Sequence, residues 1–188
     1  KRKDNFVTID ELIDLLGPDV FRYFLIMRSH NSHLNFDLEL AQKQSMENPA
    51  YYIQNAHARI CSIEKKAADR GIQFSVTNPI KLELLKSEEE ITIIEKLLEF
   101  PELTARLAKN LEPHPLTTYL EELAGVYHHY QTAGKKNSDL RVITDDRALS
   151  EARLALCIAV RIVLRRGLDI LGISAPEYMA RDQADETV

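Results

Sequence analysis

Apolar residues recur at intervals of three and four along almost the whole chain, and this spacing is the period of an α-helix rather than of a strand. Residues that break helices are scarce, with six glycines and seven prolines among 188 residues. No internal repeat interrupts the pattern. The sequence therefore predicts an all-α domain built as a helical bundle.

Capping and breaking signals predict where the individual helices begin and end. Two pairs of residues have the pattern of a capping box, in which two side chains satisfy backbone N–H groups at a helix N-terminus: Thr8 with Glu11, and Ser87 with Glu90. Asn48 followed by Pro49 is a further start signal. With the remaining signals, helices are expected at 8–17, 19–28, 37–44, 48–71, 87–98, 101–111, 113–132 and 145–172, with a break at 134–138.

The last predicted helix carries apolar residues around most of its circumference, which is typical of a helix at the centre of a bundle. Gly167 lies inside it, where glycine costs about 1 kcal/mol relative to alanine, so we expect a close crossing with another helix. Arginines interrupt the apolar stretch before it reaches the roughly 20 residues that a membrane span needs. We expect no membrane partner.

The composition is that of an ordinary globular protein, with 45% hydrophobic and 28% charged residues in 21.5 kDa. It excludes collagen-like, mucin-like and wholly disordered chains. Two cysteines cannot form a disulfide framework, and no signal peptide is apparent at the start, so we expect a cytoplasmic protein.

Charge is distributed unevenly, although the net charge of −5 argues against indiscriminate binding to nucleic acid. Residues 48–71 contain four basic and two acidic side chains, and residues 147–171 contain five and two. Residues 80–112 contain eight glutamates and five basic side chains. Two interpretations stay open: a protein that binds a polyanion on one side, or helices whose charges merely solvate their surfaces.

No self-contained active site is recognisable. The six histidines lack the spacing of a zinc site, and His57 lies beside the apolar stripe of its helix, where a structural role is the simpler interpretation. The sequence also lacks a phosphate-binding glycine loop, a serine elbow and a Cys-His nucleophile pattern. We therefore expect no catalytic residue, metal or cofactor in this chain.

The most distinctive chemistry is a set of tyrosines with polar neighbours: Tyr51, Tyr52, Tyr127, Tyr130 and Tyr178. Exposed aromatic rings beside an arginine such as Arg59 are suited to stacking single-stranded RNA bases. The alternative is that each ring packs in the core with its hydroxyl at the rim.

Several segments of the chain together resemble one family. They are Lys-Arg-Lys-Asp-Asn at 1–5, Asp-Val-Phe-Arg at 19–22, Tyr-Tyr-Ile-Gln-Asn-Ala-His-Ala-Arg at 51–59 and Leu-Gly-Ile-Ser-Ala-Pro-Glu-Tyr-Met at 171–179. In this order, and over nearly the whole chain, they resemble bacterial arginyl-tRNA synthetase, a class I aminoacyl-tRNA synthetase. The stretch at 19–22 is similar to the motif that names the helical anticodon-binding domain of the arginyl and cysteinyl enzymes.

The resemblance implies a division of the chain. Lys1 would be the last lysine of the Lys-Met-Ser-Lys signature loop, and residues 1–46 would contain the end of that loop and the stem helices. Residues 47–180 would form the anticodon-binding domain, and residues 181–188 a flexible tail. The resemblance also implies that the catalytic core precedes Lys1. The whole enzyme would attach arginine to its tRNA using ATP with magnesium, and this part alone would be inactive.

The resemblance also implies a binding site for the anticodon loop of arginine tRNA. The expected contacts come from two helices and the terminal turn: Tyr52, Asn55, Arg59, Tyr127, Tyr130, Gln131 and Met179. Asn55 and Gln131 depart from the family, which commonly has aromatic residues there. We expect a monomer that does not bind DNA. The competing interpretations are a helical protein-interaction module without RNA affinity, and the related domain of a cysteinyl-tRNA synthetase.

Overall fold

The computed structural model of the protein describes residues 8–33, 35–74 and 79–179. Within these ranges the fold is built from eight α-helices, which confirms the all-α prediction. They are α1 (Ile9–Leu16), α2 (Pro18–Ile26), α3 (Leu38–Gln42), α4 (Pro49–Asp69), α5 (Glu88–Leu98), α6 (Phe100–Asn110), α7 (His114–Lys136) and α8 (Arg147–Leu171). Short 3₁₀ turns lie at Leu82–Leu84 and Ser138–Leu140.

The three longest helices form the centre of the bundle. α4, α7 and α8 pack against one another, α5 lies against α7 and α8, and α2 contacts all three central helices. Fully buried aliphatic side chains fill the space between them, among them Ile53, Leu120 and Leu164. Burial of each such side chain stabilises the fold by roughly 1.5–3 kcal/mol, so the bundle is held mainly by this shared core.

The predicted helix starts are confirmed where the signal is local. Both capping boxes form, at Thr8 and at Ser87. Asn48 caps α4 with its Oδ1 atom, which accepts a hydrogen bond from the N–H of Ala50 at 3.0 Å. Its Nδ2 atom donates to the carbonyls of Ala41 and Lys43, each at 3.0 Å. One buried amide thus begins α4 and fixes the end of α3 against it.

The predicted break at 134–138 is wrong in its first part, because α7 continues through Gly134 to Lys136. Gly134 is buried, and a Cβ atom there would lie 3.1 Å from the carbonyl oxygen of Leu140. Gly134 therefore does not end α7. Its missing side chain lets the segment around Leu140 pass close to the helix. The chain turns at Asn137, whose side chain accepts a hydrogen bond from the N–H of Asp139.

Gly167 marks a close crossing of α7 and α8, as the sequence predicts. A Cβ atom at Gly167 would lie 2.5 Å from Cδ2 of Leu120 and 3.1 Å from its Cγ. Leu120 is fully buried. The absence of a side chain at Gly167 thus allows the two central helices to approach each other.

A buried ion pair joins α5 to α8. Oε1 of Glu90 accepts from Nε of Arg153 at 2.6 Å, and its other carboxylate oxygen accepts the N–H groups of Lys86 and Ser87. The guanidinium also donates to the carbonyls of Asp139 and Arg141. Glu90, the glutamate of the second capping box, therefore also holds Arg153 in position, and Arg153 in turn binds the segment that connects α7 to α8.

Candidate nucleic-acid interface

The line along which α4 and α7 meet brings together most of the predicted site residues. We call this region the α4–α7 seam and define it by Tyr52, Arg59, Tyr127, His128 and Gln131. Tyr52 and Arg59 lie on one flank of α4, seven residues apart and therefore about 20° from each other around the helix. The helices are held in contact by a core that Ile53 and Ala56 share with Leu123 and Ala124.

Tyr52 and His128 connect the two helices at the seam. Their ring centroids are 4.5 Å apart, and Nε2 of His128 donates a hydrogen bond to the backbone carbonyl of Tyr52 at 3.2 Å. A Cβ atom at Gly125 would lie 3.5 Å from the Tyr52 hydroxyl, so the ring lies over α7. Tyr52 is half-buried, which leaves part of its ring for a ligand.

Tyr127 is buried, so of the two interpretations that the sequence leaves open for the tyrosines, packing in the core applies to this one. Its side chain is 0% exposed, and burial raises the pKa of its hydroxyl well above the ordinary value. The hydroxyl accepts a hydrogen bond from Nε2 of Gln131 at 2.6 Å. Tyr127 therefore supports the rim of the seam from beneath.

Tyr130 is also buried, at 1% exposure, so packing in the core applies to it as well. Its hydroxyl has no hydrogen-bond partner among the described residues. A signal in the sequence could have identified both tyrosines as core residues, because they continue a spacing of four and three along α7. The buried residues at this spacing are Leu116, Leu120, Leu123, Tyr127, Tyr130 and Gly134.

Arg59 and Gln131 form the polar rim of the seam. Arg59 is half-buried, and its positive charge acts on the Tyr127 hydroxyl, where it opposes the larger upward effect of burial on the pKa. Gln131 is half-buried one helical turn beyond Tyr127. Both side chains combine hydrogen-bond donors with partial exposure, as contacts to a phosphate or a base edge require.

Asn55 is the most enclosed polar residue of the predicted site. Its side chain is 9% exposed, and its Oδ1 atom is fully buried without a hydrogen-bond partner among the described residues. A buried polar group without a partner costs about 1–3 kcal/mol. The departure from the aromatic residue that the resemblance implies thus creates an unsatisfied acceptor on α4.

The C-terminal turn, residues 172–179, is anchored on a different flank of α4. Nδ1 of His57 donates to the carbonyl of Pro176 at 2.9 Å, and His57 points about 160° away from Arg59 around the helix. The expectation of a structural role for His57 is thereby confirmed. Tyr178 is 77% exposed and Met179 is half-buried. The turn thus offers one accessible aromatic ring.

Three of the five arginines of α8 have partners within the protein, so the sequence-based count overstates the positive surface of this helix. Arg153 pairs with Glu90, Arg147 with Glu151 and Arg161 with Glu64, at distances of 2.6, 2.9 and 2.8 Å. Arg165 and Arg166 are exposed. Binding of a polyanion to α8 would rest on these two side chains.

Other predictions for the chain concern metals, membranes and its ends. Within the described ranges, no group of three His, Cys, Asp or Glu side chains is placed to hold a metal ion. None of the helices in these ranges is long and apolar enough to cross a membrane. Lys1 and the tail at 181–188 lie outside the described residues.

Sequence reasoning missed two groups of residues near the site. His128 lacks metal-ligand spacing and carries no other signal in the sequence, yet it connects α7 to the backbone of α4. Asp19 and Gln54, which bind the C-terminal turn, were not singled out individually. The available signal was Gln54, a polar residue that directly follows the apolar Ile53 in the half of α4 where most residues are buried.

Comparison with known proteins identifies the family. Residues 53–179 match the family described as DALR anticodon binding domain. The chain is 45% identical over 179 residues to an arginine–tRNA ligase of Carboxydothermus hydrogenoformans and 46% identical over 179 residues to one of Geotalea uraniireducens. Each match covers 95% of this chain and 31% of the relative, so the chain spans about a third of the length of these relatives.

A solved structure agrees with the sequence comparison. The arginyl-tRNA synthetase of Thermus thermophilus superposes with a TM-score of 0.74 at 27% identity, and the match covers 95% of this chain and 29% of that one. The family match extends over more than half of the chain and ends at the C-terminal turn. The chain therefore belongs to the DALR anticodon-binding domain family.

Proposed function

We propose that this chain binds the anticodon loop of arginine tRNA as the anticodon-binding part of an arginyl-tRNA synthetase. The observation that carries the proposal is the family match over residues 53–179, joined to 45% identity with an arginine–tRNA ligase along nearly the whole chain. This identity favours the arginyl enzyme over the cysteinyl enzyme. The α4–α7 seam and the C-terminal turn are the two surfaces that would contact the loop.

The buried tyrosines change the chemistry that we propose for recognition. The exposed ring of Tyr178 and the accessible part of the Tyr52 ring would stack on the bases. Tyr127 and Tyr130 could not, because they lie in the core. Arg59 and Gln131 would hydrogen-bond a phosphate or a base edge at the rim, and Asn55 would offer its buried amide beside them. Met179 would add an apolar contact next to Tyr178. Tyr127 and Tyr130 would contribute by keeping α7 in position.

The reaction of the whole enzyme is a separate part of the proposal. By similarity to its relatives, the complete protein would attach arginine to tRNA in a reaction that consumes ATP with magnesium. The contribution of this chain would be to bind the tRNA and orient it.

A helical protein-interaction module is the second candidate, and the burial of Tyr127 and Tyr130 favours it. Buried rings cannot stack on bases, which removes two of the aromatic surfaces that a single-stranded RNA site could use. This candidate predicts no preference among RNA sequences. It is thus distinguished from the first by a binding experiment.

Fluorescence anisotropy with a labelled stem-loop carrying the arginine anticodon tests the proposal. We expect binding that weakens as salt increases and that is tighter than binding to the same stem-loop with a different anticodon. Equal affinity for both stem-loops would place specificity outside this chain. The absence of binding at all salt concentrations would favour the protein-interaction module.

Arg59→Ala locates the interaction at the seam. We expect the affinity for the cognate stem-loop to fall by roughly 5- to 150-fold, the equivalent of about 1–3 kcal/mol for one arginine contact. Arg106→Ala is the matched control, because it removes one positive charge from exposed α6. An Arg59→Ala protein that is folded and binds as tightly as the Arg106→Ala protein would exclude Arg59 from the site.

A further inference from the structure

The C-terminal turn is joined to α2 by the side chain of Asp19. Oδ1 of Asp19 accepts a hydrogen bond from the N–H of Ser174 at 3.2 Å, and Oδ2 accepts one from the hydroxyl of the same serine. Both oxygens of the carboxylate are therefore engaged by one residue of the turn. Hydrogen bonds to a charged acceptor are about twice as strong as those between neutral groups.

Gln54 of α4 completes this attachment. Its Nε2 atom donates to Oδ2 of Asp19 at 3.2 Å and to the carbonyl of Ser174 at 3.0 Å. A single buried amide therefore contacts both partners of the Asp19–Ser174 pair. Together with the bond from His57 to Pro176, it fixes two positions of the turn against α4.

Arg22 supports the beginning of the turn. Gly172 ends α8 with a φ of 67°, a left-handed conformation that favours glycine. A Cβ atom at Gly172 would lie 2.5 Å from Nη1 of Arg22, so the guanidinium occupies the space that a side chain would need. Asp19 and Arg22 are the first and last residues of the Asp-Val-Phe-Arg stretch and share one face of α2. Both therefore contact the C-terminal turn.

The turn needs such an attachment because little else holds it. Ile173 is its one core residue among those described, whereas Ser174, Glu177 and Tyr178 are exposed. A segment with few apolar contacts and no regular secondary structure opens easily. A ligand that uses the exposed Tyr178 ring must then order the segment on binding, and this ordering lowers the affinity. Holding the turn in advance removes that cost.

We propose that Asp19 is a positioning residue, which holds the C-terminal turn in the orientation that meets single-stranded RNA without touching the RNA itself. The proposal rests on the proposed function, since it concerns the same ligand. It assigns a role to the stretch at 19–22 that resembles the motif of the family. The role is to join the stem helix α2 to the RNA-binding turn.

Asp19→Asn tests the attachment in the free protein. The amide keeps the size of the carboxylate but loses its charge and one of its two acceptors. We expect the Ser174 amide hydrogen to exchange with solvent about tenfold faster or more, the change expected when a charge-assisted hydrogen bond is lost. Asp37→Asn is the matched control, because Asp37 caps α3 through the N–H of Leu40 and asparagine caps equally well.

RNA affinity then tests the positioning role. We expect Asp19→Asn to weaken binding of the cognate stem-loop about three- to tenfold, and Asp37→Asn to leave it unchanged. In a Tyr178→Ala/Met179→Ala background, which removes the side chains that would contact RNA from the turn, Asp19→Asn should have no further effect. Such a double-mutant cycle separates an effect that acts through the turn from a general loss of stability.

Three outcomes would overturn the proposal. Unchanged exchange at Ser174 would show that Asp19 does not hold the turn. Faster exchange with unchanged RNA affinity would show that the attachment does not serve RNA binding. A wild-type chain that binds no RNA would remove both the proposed function and the positioning role, while the exchange result would still decide the attachment. Ser174→Ala provides a second variant, should Asp19→Asn fail to fold, because it deletes the exposed hydroxyl from the other side of the same contact.

Discussion

Arg153 and Arg147 both lie on α8 and both pair with a glutamate, but they differ in burial. The Arg153–Glu90 pair is almost fully enclosed, whereas the side chain of Arg147 is 67% exposed. We expect Arg153→Ala to lower the free energy of unfolding by about 3–5 kcal/mol, because it leaves the Glu90 carboxylate buried without its partner. Urea denaturation followed by circular dichroism measures this loss.

Arg147→Ala is the matched control on the same helix. A solvated ion pair contributes about 0–1 kcal/mol, so the expected change is small. Similar losses of unfolding free energy in Arg153→Ala and Arg147→Ala would show that burial does not determine how much an ion pair contributes to the stability of this protein. The replacement of both partners, as in Glu90→Gln/Arg153→Met, should recover part of the stability that the single variant loses, because no unpaired charge remains and the amide oxygen can still accept the N–H groups of Lys86 and Ser87.

At the scale of elements, the crossing of α7 and α8 depends on Gly167. We expect Gly167→Ala to destabilise the protein by about 1–3 kcal/mol, despite the higher helix propensity of alanine, because the new methyl group overlaps the buried Leu120 side chain. Thermal unfolding measures the effect. A smaller residue at position 120, in Gly167→Ala/Leu120→Val, should relieve part of the overlap.

Gly125→Ala is the matched helix-interior control. Its Cβ atom would lie 3.5 Å from the Tyr52 hydroxyl, an ordinary contact distance. We therefore expect a gain of up to about 1 kcal/mol from the lower flexibility of alanine in the unfolded chain. A loss of stability at Gly125 equal to that at Gly167 would show that the crossing is not specific to Gly167.

The same elements show what the sequence can predict. The capping boxes at Thr8 and Ser87 are correct because their atoms lie within three residues of each other. The sequence predicts the end of α7 too early because it treats Gly134 as a helix breaker. In the structure the glycine is needed to make room for the backbone of Leu140, which the fold brings close. The sequence leaves the placement of Tyr127 and Tyr130 open, because the amphipathic ring of a tyrosine suits both the rim and the core of a bundle. The Asp19–Ser174 contact joins the first turn of α2 to the C-terminal turn, and no local pattern in the sequence relates these two segments.

At the scale of the whole molecule, the burial of His57 makes stability depend on pH. Burial lowers the pKa of His57 below its ordinary value of about 6.5, and the nearby charges of Arg161 and Arg165 lower it further. The hydrogen bond to Pro176 and the charge of Glu177 act in the opposite direction but do not reverse the shift. The unfolded chain therefore binds a proton at a higher pH than the folded protein.

We consequently expect the free energy of unfolding to fall as pH decreases below about 6.5, with a slope from this residue of at most about 1.4 kcal/mol per pH unit. The fall should end once pH is below the lowered pKa of folded His57. Urea denaturation between pH 8 and pH 5 measures it. His57→Gln, which keeps a donor toward Pro176, should show a shallower dependence. An identical slope in both proteins would assign the effect to other groups.

The contact between Asp19 and Ser174 joins residues that are 155 positions apart in the chain. During synthesis on the ribosome, α2 emerges long before the turn exists, and contacts of such large sequence separation form late in folding. A nascent chain that has been translated only through α8 can assemble its helical core while Asp19 still faces water. The contribution that the C-terminal turn makes to the proposed RNA binding would then be acquired late, when residues 172–179 dock onto α2.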